Sequence, residues 1–207
     1  MKIESIKRDG NSVNIQMEDG SSLKLQLSIL KDENISEGLN LSENEVDNLL
    51  NKAELIKAKN SALRILSRRS HSEFELRKKL SDKKYSAEVI SRVIADMAAI
   101  GFINDEKFAN DYYESCVRLK GDGINKIVNK LMLKGIKKSL ITEIISAKED
   151  ESIHLENALK LTERKIQFIS NKDLPKEKIR AKIMLYLQNK GFSYDVITKV
   201  LKTKKLY

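Results

Sequence analysis

The stretch LRKKLSDKKYSAEVISRVI, residues 76–94, carries an apolar spacing that occurs three times along the chain and sets its fold. Its apolar positions are Leu76, Leu80, Tyr85, Val89, Ile90, Val93 and Ile94. Residues 127–145, IVNKLMLKGIKKSLITEII, place Ile127, Leu131, Ile136, Leu140, Ile141, Ile144 and Ile145 at the same spacing. Residues 183–201, IMLYLQNKGFSYDVITKVL, do so again with Ile183, Leu187, Phe192, Val196, Ile197, Val200 and Leu201. Neighbours three and four apart share one face of a helix, so each copy reads as two amphipathic helices joined by a short turn. A fixed internal period of this kind signals a repeat architecture.

Each pair is preceded by a further helical pattern. One ends near Arg69, one covers residues 105–119 and one covers roughly residues 152–169. The first opens at Ser42 with Glu45 three residues on, a capping-box spacing in which serine and glutamate satisfy each other's backbone N–H groups. It continues through Leu49, Leu50, Ile56, Leu63 and Leu66. Ser72 with Glu75 repeats the cap, and Ser86 and Asn104 are further N-cap candidates. The single proline, Pro175, falls where a first helical turn accepts it. At the joint within each pair stand Lys83, Lys134 and Lys190. Gly135 and Gly191 follow the last two, whereas Lys84 follows the first. Glycine past a helix end takes the left-handed conformation that satisfies the last carbonyls, and a lysine there complements the helix dipole.

Upstream the period is two. Val13, Ile15 and Met17 alternate with polar residues, as do Leu23, Leu25 and Leu27, with Asp9-Gly10 and Asp19-Gly20 as turns. Residues 2–29 therefore read as a three-stranded antiparallel meander. Such a sheet is marginal alone and needs a helix to pack on. The expected fold is mainly α: three tandem three-helix repeats in an elongated curved array, with a small N-terminal antiparallel β-meander. The expected division is residues 1–40 for the meander, 41–104 for repeat one, 105–148 for repeat two and 149–207 for repeat three.

The chain has 207 residues, 41% of them hydrophobic, which suffices for a sizeable core. No run of apolar residues is long enough for a membrane helix, and the charged start MKIESIKRDG does not read as a signal peptide. One cysteine, Cys116, cannot form an internal disulfide, and with the two histidines, His71 and His154, it cannot supply a structural zinc site without carboxylates. The expectation is a reduced, cytoplasmic, monomeric protein without metal or cofactor.

Catalytic constellations are missing from the sequence. It has no Gly-rich phosphate loop, and Gly121-Asp122-Gly123 reads as a turn and N-cap. Cys116 lies on the apolar stripe of its helix near Tyr112 and Tyr113, as a small core hydrophobe does. His71 between two serines suits a turn or cap, and His154 lies in a charged segment. The acid pairs Glu73/Glu75 and Asp105/Glu106 stand at helix starts, where the dipole favours them. The chain reads as a non-enzyme.

The positive clue is charge. Residues 1–56 hold 6 basic and 11 acidic residues, while residues 57–207 hold 33 basic and 19 acidic ones. Each repeat carries a basic cluster: 11 basic against 4 acidic over residues 57–92, 7 against 1 over 118–138, and 8 against 2 over 164–190. A regular series of this kind favours a polyanion-facing surface over scattered solvation. With Leu76 and Leu80 as core stripe, Lys78 points away and Arg77 and Lys79 flank the stripe. Aromatics are 5% of the chain and tryptophan is missing, so composition gives base stacking weak support.

The segment SRRSHSEFELRKKL (residues 67–80), followed by YSAEVI and GFINDEKFA (residues 101–109), resembles the RecX family of recombination regulators. The stretch RLKGDGINKIVNKLMLKGI (residues 118–136) is similar to that family's second repeat. The match covers roughly residues 60–146. The third repeat agrees in pattern more than in residues, and the meander resembles an extension that some members carry. The resemblance implies a protein that binds the RecA recombinase filament on DNA, lodging in its helical groove. It implies inhibition of ATP hydrolysis, strand exchange and LexA co-cleavage. Some members also bind DNA themselves, so single-stranded DNA, and double-stranded DNA after it, is an expected partner. Arg68, Arg69, Arg77, Lys78, Arg118 and Lys120 combine motif positions with the charge argument and are the expected binding residues. Two departures stand out: Lys84 replaces the joint glycine, and the third repeat has five extra residues between its first two helices. A stand-alone DNA-binding module and a helix-turn-helix transcription factor are the competing readings. The latter needs base-reading residues on each second helix, where residues 86–99 offer mainly Arg92.

Overall fold

A computed structural model describes residues 1–148, 150–169 and 174–206 of the chain. Among the described residues it has three strands followed by ten helices. The strands are β1 (Ile3–Asp9), β2 (Ser12–Met17) and β3 (Ser22–Gln26). The helices are α1 (Leu27–Asp32), α2 (Glu43–Leu66), α3 (Glu73–Asp82), α4 (Ala87–Ala99), α5 (Asp105–Arg118), α6 (Ile124–Leu133), α7 (Lys138–Lys148), α8 (Glu151–Ile169), α9 (Lys176–Asn189) and α10 (Tyr194–Thr203). No described helix is long and apolar enough to cross a membrane. The chain divides into two compact units. One comprises Met1–Ser70 and Leu76–Phe102, the other His71–Glu75 and Ile103–Tyr207.

In the first unit the strands form an antiparallel meander in the order β1-β2-β3. Asp9 ends β1 and pairs with Ser12, so the two-residue loop is Gly10-Asn11, one residue later than the Asp9-Gly10 pair, with Gly10 at φ 60°. Val13, Ile15, Met17 and Leu25 alternate inward and pack with Ile3, Ile29, Ile35, Val46, Leu49 and Ala53. Residues before α2 return along β1: Ile3 donates to the Leu39 carbonyl, and Gly38 to the Ile3 carbonyl, each at 2.9 Å. That segment covers the outer edge of the sheet, which would otherwise offer unpaired N–H groups.

The meander stops earlier than the alternation suggests. Leu27 begins α1 rather than continuing β3. Leu27 and Leu30, three apart, pack half-buried against the sheet core that holds Ile29. The turn ends at Asn34, which takes φ 51° in place of a glycine. Six residues are too few for helical periodicity to separate from strand alternation. The long helix α2 opens with the expected capping box: Ser42 accepts from the Glu45 N–H, and the Glu45 carboxylate accepts from the Ser42 N–H at 2.7 Å. It buries Val46 and Leu49, then Ala53, Ala58 and Ala62, while Leu50 and Leu63 face outward. Its apolar face is thus built on alanines that allow close approach, not on the large residues alone.

All three copies of the repeat form the expected helix pairs, α3–α4, α6–α7 and α9–α10. Of the repeated apolar positions only Tyr85, Leu140 and Ile145 are half-buried, and the rest are buried. The preceding helices are α2, α5 and α8. Ser86, Asn104 and Ser193 cap α4, α5 and α10 by accepting from the backbone N–H three residues on. Pro175 is the N-cap of α9, one residue before its first turn.

Within the second unit the joints carry a second function. Lys134 and Lys190 cap α6 and α9, and the following glycines are left-handed, with φ 78° at Gly135 and 85° at Gly191. Ile136 donates to the Leu131 carbonyl and Phe192 to the Leu187 carbonyl, each at 3.1 Å. The cap carbonyls then accept from elsewhere. Ser72 Oγ donates to the Lys134 carbonyl at 2.6 Å, and the Gly123 N–H to the Lys190 carbonyl at 2.8 Å. A helix start therefore rests on the joint of the following copy. Contact is close enough to require glycine. A methyl on Gly135 would lie 2.2 Å from Phe74 Cβ, and one on Gly191 would lie 2.4 Å from the Lys126 backbone nitrogen. Lys84 adopts the same conformation, φ 67°, at an exposed joint, which explains why a lysine stands there.

Candidate nucleic-acid interface

The six residues singled out by motif and charge lie in both units. In the first, Arg68 and Arg69 follow the last turn of α2 and are exposed. Arg69 Nη1 donates to the Ser70 carbonyl at 2.8 Å. Arg77 is half-buried on α3 and donates to Ser91 Oγ on α4 at 3.2 Å. Lys78 is exposed, while Leu76 and Leu80 on either side are buried. The cation therefore points to solvent, as the helical geometry requires.

In the second unit, Arg118 closes α5. Its Nε lies 2.8 Å from Glu114 Oε2, and its side chain is 76% exposed. The Lys148 ammonium, and to a smaller degree Arg118, hold the Glu114 carboxyl below the usual range. Two residues past the helix end, Lys120 Nζ lies 5.4 Å from the centre of the Tyr112 ring. The pair flanks one end of α5.

Not every lysine in the basic cluster of residues 118–138 faces outward. Asp122 is buried between two of them, with Lys130 Nζ at 2.5 Å and Lys126 Nζ at 3.0 Å. Burial alone pushes the Asp122 carboxyl up. The Lys130 and Lys126 ammoniums outweigh it and hold the group below the ordinary carboxylate range. Lys134 Nζ pairs with Glu75 Oε1 at 2.6 Å and lies 5.0 Å from the Tyr112 ring centre and 5.6 Å from that of Phe108. These lysines clamp the start of α6 and the Ser72 turn, and the outward charge of this copy falls to its remaining cations. Counting charges missed this because one acid holds two lysines: Asp122 meets Lys126 and Lys130, four and eight residues on, once it is buried at the start of α6, while Glu75 reaches Lys134 only through the fold.

The Asp122 clamp yields a pH prediction. A folded-state carboxyl held low contributes stability that is present above its unfolded pKa and lost as pH falls through the folded one. Asp122→Asn should cost about 1–2 kcal/mol at neutral pH, since the lysines keep partial access to water. In urea titrations the gap between parent and variant should close only below the ordinary aspartate value of about pH 4. A gap that persists unchanged below that value contradicts the clamp.

The remaining candidates have structural settings. Cys116 is fully buried in the α5 core. His71 is buried beside Ser72, the N-terminal cap of α3, whose Oγ accepts from the Glu75 N–H at 3.2 Å. His154 is buried on α8, its Nε2 3.4 Å from the Tyr113 hydroxyl. Gly123 is the N-cap of α6. Among the described residues no group of three or more His, Cys, Asp or Glu side chains is placed to hold a metal ion.

Family models of RecX match at two places, the first three-helix domain at residues 58–97 and the third three-helix domain at residues 151–201. The regulatory protein RecX of Clostridioides difficile (strain 630) is 35% identical over 200 residues, covering 97% of this chain and 92% of that one. The RecX of Clostridium perfringens (strain SM101 / Type A) is 30% identical over the same share of this chain and 93% of its own. Among solved structures, a crystal structure of regulatory protein RecX superposes with a TM-score of 0.74 at 22% identity, covering 97% of this chain and 98% of that one. RecX from Lactobacillus salivarius superposes with a TM-score of 0.64 at 25% identity over 74% of this chain and 98% of that one.

Proposed function

This chain belongs to the RecX family of regulatory proteins, and from that premise we propose that it binds the RecA filament on DNA and inhibits the recombinase. The observation that carries the reading is the similarity to RecX regulators along nearly the whole chain. The inhibited activities are ATP hydrolysis, strand exchange and co-protease action. The protein works by binding rather than by catalysis, in the cytoplasm and as a monomer. Its helical segments, residues 41–104, 105–148 and 149–207, act as successive binding modules. The exposed cations Arg68, Arg69, Lys78, Arg118 and Lys120, and the half-buried Arg77, contact filament and phosphate backbone. Backbone contacts of this kind position a protein without reading sequence.

A stand-alone DNA-binding module is the second reading, favoured by the excess of basic residues after residue 56. The two readings differ in stoichiometry. A filament regulator acts well below one molecule per recombinase subunit, whereas a competitor for DNA must cover the DNA. The transcription-factor reading is less suitable, because α4 buries Val89, Ile90, Val93, Ile94 and Met97 and leaves Arg92 as its exposed base-reading candidate.

The deciding measurement is ATP hydrolysis by a RecA recombinase on single-stranded DNA, titrated with this protein. Substoichiometric inhibition is the expected result. Inhibition only at DNA-saturating concentrations, or equal inhibition of an unrelated DNA-dependent ATPase, overturns the filament reading in favour of plain DNA binding.

A further inference from the structure

The third copy holds a row of rings and ammonium groups that the motif residues do not include. Phe168 lies near the end of α8 with 71% of its surface exposed. One turn earlier on the same helix, Lys165 has its Nζ 5.5 Å from the Phe168 ring centre. The same Nζ lies 5.3 Å from the ring centre of Tyr186 on α9. Lys190, the cap of α9, continues the row with its Nζ 5.8 Å from that second ring. The order is Phe168, Lys165, Tyr186, Lys190, ring and cation in alternation. Among the described residues neither lysine is paired with a carboxylate, in contrast to Lys126, Lys130 and Lys134 in the second copy. The surrounding residues 164–190 carry eight basic side chains against two acidic ones.

Phe168 is not needed by the core. The buried residues of α8 are His154, Ala158, Thr162 and Ile169. A large ring held in water beside an uncompensated ammonium suits a ligand that is flat, apolar on its faces and anionic along its edge. Unpaired nucleotides meet all three conditions, and every base offers such a face whatever its identity. A duplex hides its base faces in the stack, so the row discriminates in favour of single strands.

We propose that Phe168 is a stacking platform for unpaired bases of single-stranded DNA, with Tyr186 as second ring and Lys165 and Lys190 neutralising the adjoining phosphates. This rests on the DNA-contact part of the function proposed above, and it adds a contact in the third copy, away from the motif residues.

The test measures binding of the full chain to labelled oligothymidine by fluorescence anisotropy, with no recombinase present, beside an abasic oligonucleotide of equal length. Phe168→Ala should weaken oligothymidine binding about tenfold, the scale of one lost base stack. It should leave abasic binding and the salt slope unchanged, because a ring releases no counterions. Phe168→Trp should restore affinity. Lys165→Gln should weaken both ligands and lower the slope by about 0.7. Equal oligothymidine binding by parent and Phe168→Ala overturns the proposal, as does an equal loss on the abasic strand. The ATP hydrolysis titration reads the other proposal separately. Parent inhibition with an unaffected Phe168→Ala oligonucleotide affinity removes the stacking site alone. A Phe168-dependent loss without inhibition by the parent removes the filament reading alone.

Discussion

Gly191→Ala should melt roughly 10 °C below the parent. Two costs combine. Gly191 has φ 85°, where a side chain costs about 1–2 kcal/mol. The methyl would also stand 2.4 Å from the nitrogen and 2.9 Å from the Cα of Lys126, and backbone cannot rotate aside. Overpacking of this kind adds about 1–3 kcal/mol. Gly123→Ala meets the same interface from the other side, 2.3 Å from the Gly191 carbonyl carbon and the Phe192 nitrogen, although its φ of −75° is unstrained. Gly135→Ala combines φ 78° with a 2.2 Å approach to Phe74 Cβ. Lys84→Gly is the control. The residue has φ 67° at an exposed joint, so relief of strain and the added freedom of the unfolded chain nearly cancel, within about 1 kcal/mol. Calorimetric melting of the four variants decides it. Gly191→Ala melting within about 2 °C of the parent would show that the joints are not in close contact in solution.

The second large effect concerns function. Paired charge reversal, Arg68→Glu with Lys78→Glu, should weaken binding to single-stranded DNA by on the order of twentyfold at physiological salt if both side chains meet phosphates. The salt dependence should become shallower by about 0.7 for each single-strand contact removed. A matching shift in the concentration that inhibits the recombinase is expected. Both side chains are exposed, so the melting temperature should stay within about 2 °C of the parent. Arg118→Glu with Lys120→Glu asks the same of the end of α5. It breaks an exposed pair with Glu114 that contributes at most about 1 kcal/mol. An unchanged salt slope in both double variants would remove these residues from the interface.

The helix pairs were legible because burial acts on a period. Leu76 with Leu80, Ile127 with Leu131, and Ile183 with Leu187 mark one stripe three times over, and all six side chains are fully buried. Caps were legible for a related reason, since Ser42, Ser86 and Asn104 bond backbone N–H groups within the same turn. The helix α1 was not, because six residues after a strand leave the Leu25–Leu27 alternation ambiguous. The candidate interface was legible only as a set of cations. Counting charges cannot distinguish Lys130, bound to a buried aspartate, from Lys165, placed between two rings.

Sequence alone determined the repeat, its mainly helical character, the meander and the resemblance to RecX regulators, because each depends on residues close along the chain. Tertiary structure decided which lysines remain available and why two joints need glycine while a third carries lysine. The joint contacts bring together residues 61 and 67 positions apart, Phe74 against Gly135 and Lys190 over Gly123, and Lys134 reaches Glu75 across 59 positions. Distance and desolvation set their energies, and both exist only once the chain has folded.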